Sequence, residues 1–106
     1  MAVLRSINPF DPSRIINYPQ LSDMSLAIRL GRAQTIFTSY RNSSYVERAM
    51  LMNRVAAVLR ERSREFAEVI TREMGKPVSE AAAEVKKCAW VCEYYAKNAA
   101  HFLEEK

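Results

Sequence analysis

The chain has 106 residues, 49 % of them hydrophobic and 26 % charged, which is the composition of a folded domain and excludes disordered and fibrous classes. No apolar run nears the ~20 residues that cross a bilayer. The opening "MAVLRSINPF" has neither the apolar stretch nor the small-residue cleavage site of a secretory signal.

Two cysteines without such a signal point to free thiols in a reducing, cytoplasmic setting. The net charge of +4 raises the question of nucleic acid. Residues 1–43 hold five basic and two acidic side chains, and residues 44–106 hold eleven and ten. The second part is therefore nearly balanced, with Arg and Glu interspersed as on a solvated helix face. Its densest basic spot, "RERSR" at Arg60 to Arg64, is interrupted by Glu61 and followed by Glu65. Neither a nucleic-acid nor a membrane partner is expected.

Short β-type runs, Val3 to Ile7 and Ile15 to Tyr18, flank "NPFDPS", where Asn-Pro and Asp-Pro mark turns. They predict a hairpin over residues 1–21, which needs another surface to lie on because two strands alone are marginal in water. Ser22 and Asp23 then predict a helix start. Leu26, Leu30, Ala33, Phe37 and Tyr40 fall on one stripe of that helix, which "RNSS" ends. Ser44 and Glu47 predict a capping box. The second helix follows, with Leu51, Met52, Val55, Val58 and Leu59 expected on its buried side. A break near Ser63 leads to a third helix carrying Phe66, Val69, Ile70 and Met74.

The stretch "REMGKP", Arg72 to Pro77, looks at first like the end of a phosphate loop. That loop requires G-x-x-x-x-G-K-[ST]. Ile70 stands at its first glycine and Pro77 at its hydroxyl, so neither the backbone cradle nor the magnesium ligand can form. Gly75 followed by Pro77 instead predicts a helix stop with positive φ. Ser79 is the expected cap of the fourth helix. Ala81, Val85, Cys88, Cys92, Tyr95, Ala99 and Phe102 alternate by four and three along it, the spacing of a heptad seam. No stop follows "HFLEEK", although Lys106 suits the helix dipole, so the reading expects a truncated helical layer over residues 22–106.

Chemistry is sparse. Cys88 and Cys92, four apart, are half of a zinc site, but His101 lies nine residues further on and no other Cys or His exists. Both thiols are expected in the core instead. Trp90 and Tyr94 are expected to pair on a helix flank rather than to stack on a ligand. Two glycines cannot build a nucleotide loop. No catalytic, cofactor-binding or metal residue is therefore expected.

The ordered motifs resemble the NAD(P)-dependent aldehyde dehydrogenases. "VITREMGKPVSEAAAEVKKCAWVCEYYAK", Val69 to Lys97, is similar to a family segment in which a helix ends in E-M-G-K-P. The next family helix carries small residues, E-V, an aromatic pair and Ala. Here these are Glu73, Met74, Gly75, Lys76 and Pro77, then Glu84, Val85, Tyr94, Tyr95 and Ala96. "SINPFDPSRII" resembles the family's opening hairpin, with Ser13 where glycine is usual. "VERAMLMNRVAAVLRERSREFAEVI" resembles its E-R-A-x-x-L helix pair. The wording is nearest to the succinate-semialdehyde dehydrogenase branch.

The resemblance implies a mainly α chain, a hairpin then four helices, forming the N-terminal part of an α/β Rossmann-like cofactor-binding domain. In that family the catalytic cysteine, general-base glutamate, oxyanion-hole asparagine and cofactor fingerprint lie further along the chain. The implied whole enzyme uses NAD or NADP and forms homo-oligomers. For this chain alone no cofactor and no activity are expected, and its implied partner is the remainder of such an enzyme. The alternative reading is a non-catalytic helical interaction module derived from one.

Overall fold

A computed structural model describes residues 2–105 of the chain. Its first elements are strands β1, Val3–Ile7, and β2, Ile15–Pro19. They pair antiparallel, with Val3 opposite Pro19 and Ile7 opposite Ile15. The intervening turn is closed by its own side chains. The Asn8 side-chain oxygen accepts from Phe10 N (2.9 Å) and Asp11 N (3.3 Å), and Asp11 Oδ1 accepts from Ser13 N (3.2 Å) and Ser13 Oγ (2.5 Å). Ser13 fits without strain, because no non-glycine residue among those described has positive φ. Asn and Asp supply the turn chemistry through these local bonds.

Helix α1, Asp23–Tyr40, is capped by Ser22, whose hydroxyl accepts from Ser25 N. Helix α2, Tyr45–Glu61, begins with the predicted reciprocal capping box between Ser44 and Glu47. The corner between them is held by Arg48. Its Nε donates to Ser43 Oγ at 2.8 Å, and its Nη2 donates to the carbonyls of Tyr40 and Arg41 at 3.2 Å. Arg48 thus serves the Arg41 carbonyl and adds a bond to that of Tyr40, which also accepts from Ser43 N and Oγ. The expected apolar stripe of α1 stays uncovered: no residue of this helix is buried, Leu26, Leu30, Phe37 and Tyr40 are exposed, and the Arg41 and Arg48 guanidiniums lie over the Phe37 and Tyr40 rings.

Helix α3, Ser63–Met74, stops at Gly75, which has φ 77°. Its amide donates to Thr71 O at 2.9 Å. Helix α4, Val78–Phe102, starts after Pro77, not at Ser79. The fixed φ of proline leads into the helix, and Pro77 O already accepts from Ala81 N at 3.0 Å. Ser79 therefore lies inside the first turn. At its other end α4 stops at Phe102, with Leu103 N donating to Ala99 O. Lys106 lies outside the described residues.

The core forms where α2 and α3 pack on α4. Its fully buried apolar residues are Ala56, Ala67, Ala81, Val85 and Ala89. Leu59, Phe66 and Ile70 close over this cluster but stay half-buried. On α2 the inward residue is Ala56 with Met52 and Leu59, whereas Leu51, Val55 and Val58 are exposed. On α4 the inward track is Ala81, Val85 and Ala89, spaced by four. Cys88, Tyr95 and Phe102 of the expected seam are exposed, and Cys92 is half-buried. An alanine-rich helix can turn several faces inward, and the closest helix approach selects the one with the smallest side chains.

The radius of gyration is 18.2 Å, against about 13 Å for a compact domain of this length. The accessible surface is 8979 Å², against about 6,100 Å² for a folded monomer of this mass. Much apolar surface is therefore uncovered.

Gly75 meets two demands at once. Its φ is left-handed, and a Cβ placed there would lie 2.9 Å from Pro9 Cβ in the hairpin turn. Gly75→Val is expected to lower unfolding stability by about 2 kcal/mol or more, and a urea melt matching the parent contradicts it. The Glu47 carboxyl is held below its ordinary value, chiefly by the Ser44 backbone N–H and then by the Ser44 hydroxyl. A depressed folded pKa stabilises above the ordinary value and loses that effect as pH falls through the folded value. Helical ellipticity is expected to fall on acidification below pH 4.5, the ordinary value of Glu. Glu47→Gln should reduce that pH dependence.

Candidate functional site

Three places gather polar or aromatic side chains. The first is an open cleft of about 350 Å³ between the hairpin and the end of α3, lined by Ser6, Asn8, Ser13, Arg14, Arg72 and Glu73. The Ser6 hydroxyl donates to the Glu73 carboxylate across it. With the Pro9 contact at Gly75, this bond fastens the hairpin to the corner between α3 and α4. Arg14 is paired with Asp11 at 3.2 Å. The Ser13 hydroxyl and N–H, and then Arg14, hold the Asp11 carboxyl below its usual range. The lining thus holds two guanidiniums and one carboxylate, and Asp11, outside it, neutralises Arg14. Ser6 has a carboxylate beside it but no histidine, and His101 sits at the far end of α4 near Glu104 (3.8 Å). The pair is a structural tie rather than an activated nucleophile.

The second place is the outer face of α4. Trp90 and Tyr94 pair as expected, with ring centroids 5.9 Å apart, and Tyr94 meets Tyr95 edge-on at 5.3 Å. These rings are exposed. Cys88 is exposed and Cys92 half-buried, both free. Among the described residues no group of three or more His, Cys, Asp or Glu side chains is placed to hold a metal ion. The third place is a cleft of about 240 Å³ between the α1–α2 corner and the end of α4, lined by Tyr40, Tyr45, Arg48, Met52, Tyr95 and Leu103. Arg48 lies over the Tyr40 ring at 5.1 Å and already serves the carbonyls of α1.

The predicted basic spot disperses. Arg60 makes a two-pronged bond to Glu93 on α4, at 3.0 and 2.8 Å, and Arg62 pairs with Glu65. Both Glu93 and Glu65 titrate below their usual range, chiefly because of the arginine hydrogen bonds. The Arg62–Glu65 pair is local, three residues apart on one helix turn. The Ser6–Glu73 and Arg60–Glu93 ties join residues 67 and 33 positions apart, and no local pattern announces them.

The family comparison then decides what these elements are. The aldehyde dehydrogenase family profile matches residues 2–106. The chain belongs to the aldehyde dehydrogenase family. It is 33 % identical over 101 residues to a succinate-semialdehyde dehydrogenase (NADP(+)) of Deinococcus radiodurans, covering 95 % of this chain and 21 % of that protein. It is 36 % identical to the Escherichia coli succinate semialdehyde dehydrogenase Sad, covering 93 % and 21 %. A crystal structure of succinic semialdehyde dehydrogenase from Streptococcus pyogenes, in complex with NADP+, superposes with a TM-score of 0.86 at 33 % identity, covering 94 % of this chain and 22 % of that one. The chain thus spans about a fifth of the length of these family members.

The residues present do not fit a dinucleotide. Gly75 closes α3, where the backbone presents carbonyls, and the N-terminus of α4 that follows is entered through Lys76 and Pro77, with no glycine to let a pyrophosphate approach its amides. The space beside Gly75 is filled by Pro9. Gly31 is inside α1.

The placement of the two thiols gives a direct check. Cys88 is expected to react with an aromatic disulfide reagent faster than Cys92, by comparison of Cys88→Ser and Cys92→Ser. Equal rates, or a faster Cys92, contradict the assignment of the inward face of α4.

Proposed function

We propose that this chain is the opening segment, a hairpin and a helical layer, of the cofactor-binding domain of an enzyme that oxidises an aldehyde to its acid. Succinate semialdehyde is the aldehyde the relatives' names favour, and NADP or NAD is the hydride acceptor. The observation that carries the reading is the match of 94 % of this chain to 22 % of a succinic semialdehyde dehydrogenase chain with a TM-score of 0.86. Its role is packing. It offers a pinned hairpin, the bare α1 and the aromatic face of α4 to the remainder of the enzyme. The nicotinamide, when bound in such an enzyme, takes hydride from the substrate carbon. No residue of this segment is assigned a part in that transfer. Aldehyde oxidation also needs a nucleophile beside a base, and the described residues bring no such pair together apart from the Ser6–Glu73 tie.

The test is enzymatic. The purified 106-residue chain with succinate semialdehyde and NADP or NAD is expected to give no rise in reduced-nicotinamide absorbance. A rise that co-purifies with the chain and disappears in Ser6→Ala or Cys88→Ser overturns the structural role. No gain in activity when the chain is fused to the remaining four-fifths of a family enzyme, compared with that part alone, argues against the placement.

A further inference from the structure

The link between α1 and α2, "RNSS" at Arg41 to Ser44, holds neither glycine nor proline. It is bonded back onto the end of α1. Asn42 N donates to Ser39 O at 3.1 Å and Ser43 N to Tyr40 O at 2.9 Å, and the Ser43 hydroxyl donates to the same Tyr40 carbonyl at 2.6 Å. Arg48, half-buried near the start of α2, reaches back across the link. Its Nε donates to Ser43 Oγ at 2.8 Å, and its Nη2 donates to the Tyr40 and Arg41 carbonyls at 3.2 Å. Its guanidinium lies over the Tyr40 ring at 5.1 Å. Beyond this corner α1 packs along no other described element, and none of its residues is buried.

We propose that Arg48 is a positioning residue that sets the direction of α1 relative to the body formed by α2, α3 and α4, making the α1–α2 corner a rigid elbow rather than a hinge. A guanidinium suits this task because its donors are fixed in one plane. Two of its acceptors are backbone carbonyls at the end of α1, which move with the helix axis. A side-chain acceptor could follow a swing of α1 by changing rotamer, whereas these carbonyls cannot. Swinging α1 about the link therefore breaks both Nη2 bonds and lifts the Tyr40 ring off the cation. The capping box of Ser44 and Glu47 lies on the α2 side of the link and bonds nothing in α1. Resting on the packing role proposed above, the consequence is that α1 meets the remainder of the enzyme already aimed, so less ordering accompanies docking.

Pulsed electron–electron distance measurement on the 106-residue chain tests the elbow. Nitroxides at Gln34→Cys on α1 and Lys97→Cys on α4, both exposed positions, report the direction of α1 in a chain that also carries Cys88→Ser and Cys92→Ser. The parent is expected to give one narrow distribution. Arg48→Ala should widen it by about twofold or more, and Arg48→Lys should do the same, because an ammonium keeps the charge but not the fork. Trp90, the chain's one tryptophan, reports the body by fluorescence. Its urea midpoint should not move in either variant, since α1 gives the core no buried residue. A parent as broad as Arg48→Ala, widths unchanged in both variants, a lysine variant as narrow as the parent, or widening that comes only with a fall in the Trp90 midpoint overturns the proposal. None of these measurements depends on aldehyde oxidation, so the elbow and the enzymatic placement of the chain fail separately.

Discussion

Everything in this fold depends on the closeness with which α2 and α3 approach α4. The buried residues at that junction are four alanines and one valine, and no large side chain is fully buried. Small residues let helix axes come near, which brings Arg60 within bidentate reach of Glu93 and seats Gly75 against the hairpin turn. The same choice limits the stabilisation. A fully buried Leu or Phe contributes roughly 1.5–3 kcal/mol, and here such side chains are only half-covered. The helices are well placed by one another but modestly stabilised by it.

That imbalance accounts for the functional reading. The segment spends its small residues on internal closeness and leaves Leu26, Phe37, Trp90 and Tyr95 in water, which is the exposure the proposed role rests on. The family match supplies the setting, since the relatives extend to between four and five times this length. Among the described residues the polar groups tie elements together, and Gly75, with its left-handed φ, turns a corner. What the segment offers is shape.

Much of the shape was legible in the sequence. Ser44 and Glu47 announced α2, Gly75 and Pro77 announced the corner, and Asn8 and Asp11 announced the hairpin turn, because caps and turns are made by local hydrogen bonds. The motifs "REMGKP" and "EVKKCAWVCEYYA" also carried the family. The inward faces were legible only in part: Met52, Leu59, Phe66, Ile70, Ala81 and Val85 turn inward as expected, and other expected core residues do not. On α4 the sequence predicted the 81–85–88–92 track, but the approach of α2 and α3 buries Ala89 and leaves Cys88 facing water. On α2 the bulky Val55 and Val58 looked like core, yet Ala56 takes the contact. Hydrophobicity ranks residues by size, and this junction selects against size. Of the candidate site, the Trp90–Tyr94 pair could be read from its spacing of four, but the Ser6–Glu73 tie could not, since nothing local joins residues so far apart in the chain.

The most direct test of this account compares two neighbouring substitutions on α4. Ala89→Leu inserts bulk into the junction and should lower the stability of the folded chain by about 1–3 kcal/mol in a urea melt. Cys88→Leu adds bulk one position around the helix, toward solvent, and should change it by no more than about 0.5 kcal/mol. The opposite order, with Ala89→Leu tolerated and Cys88→Leu damaging, would contradict the small-residue junction and restore the heptad seam as the core.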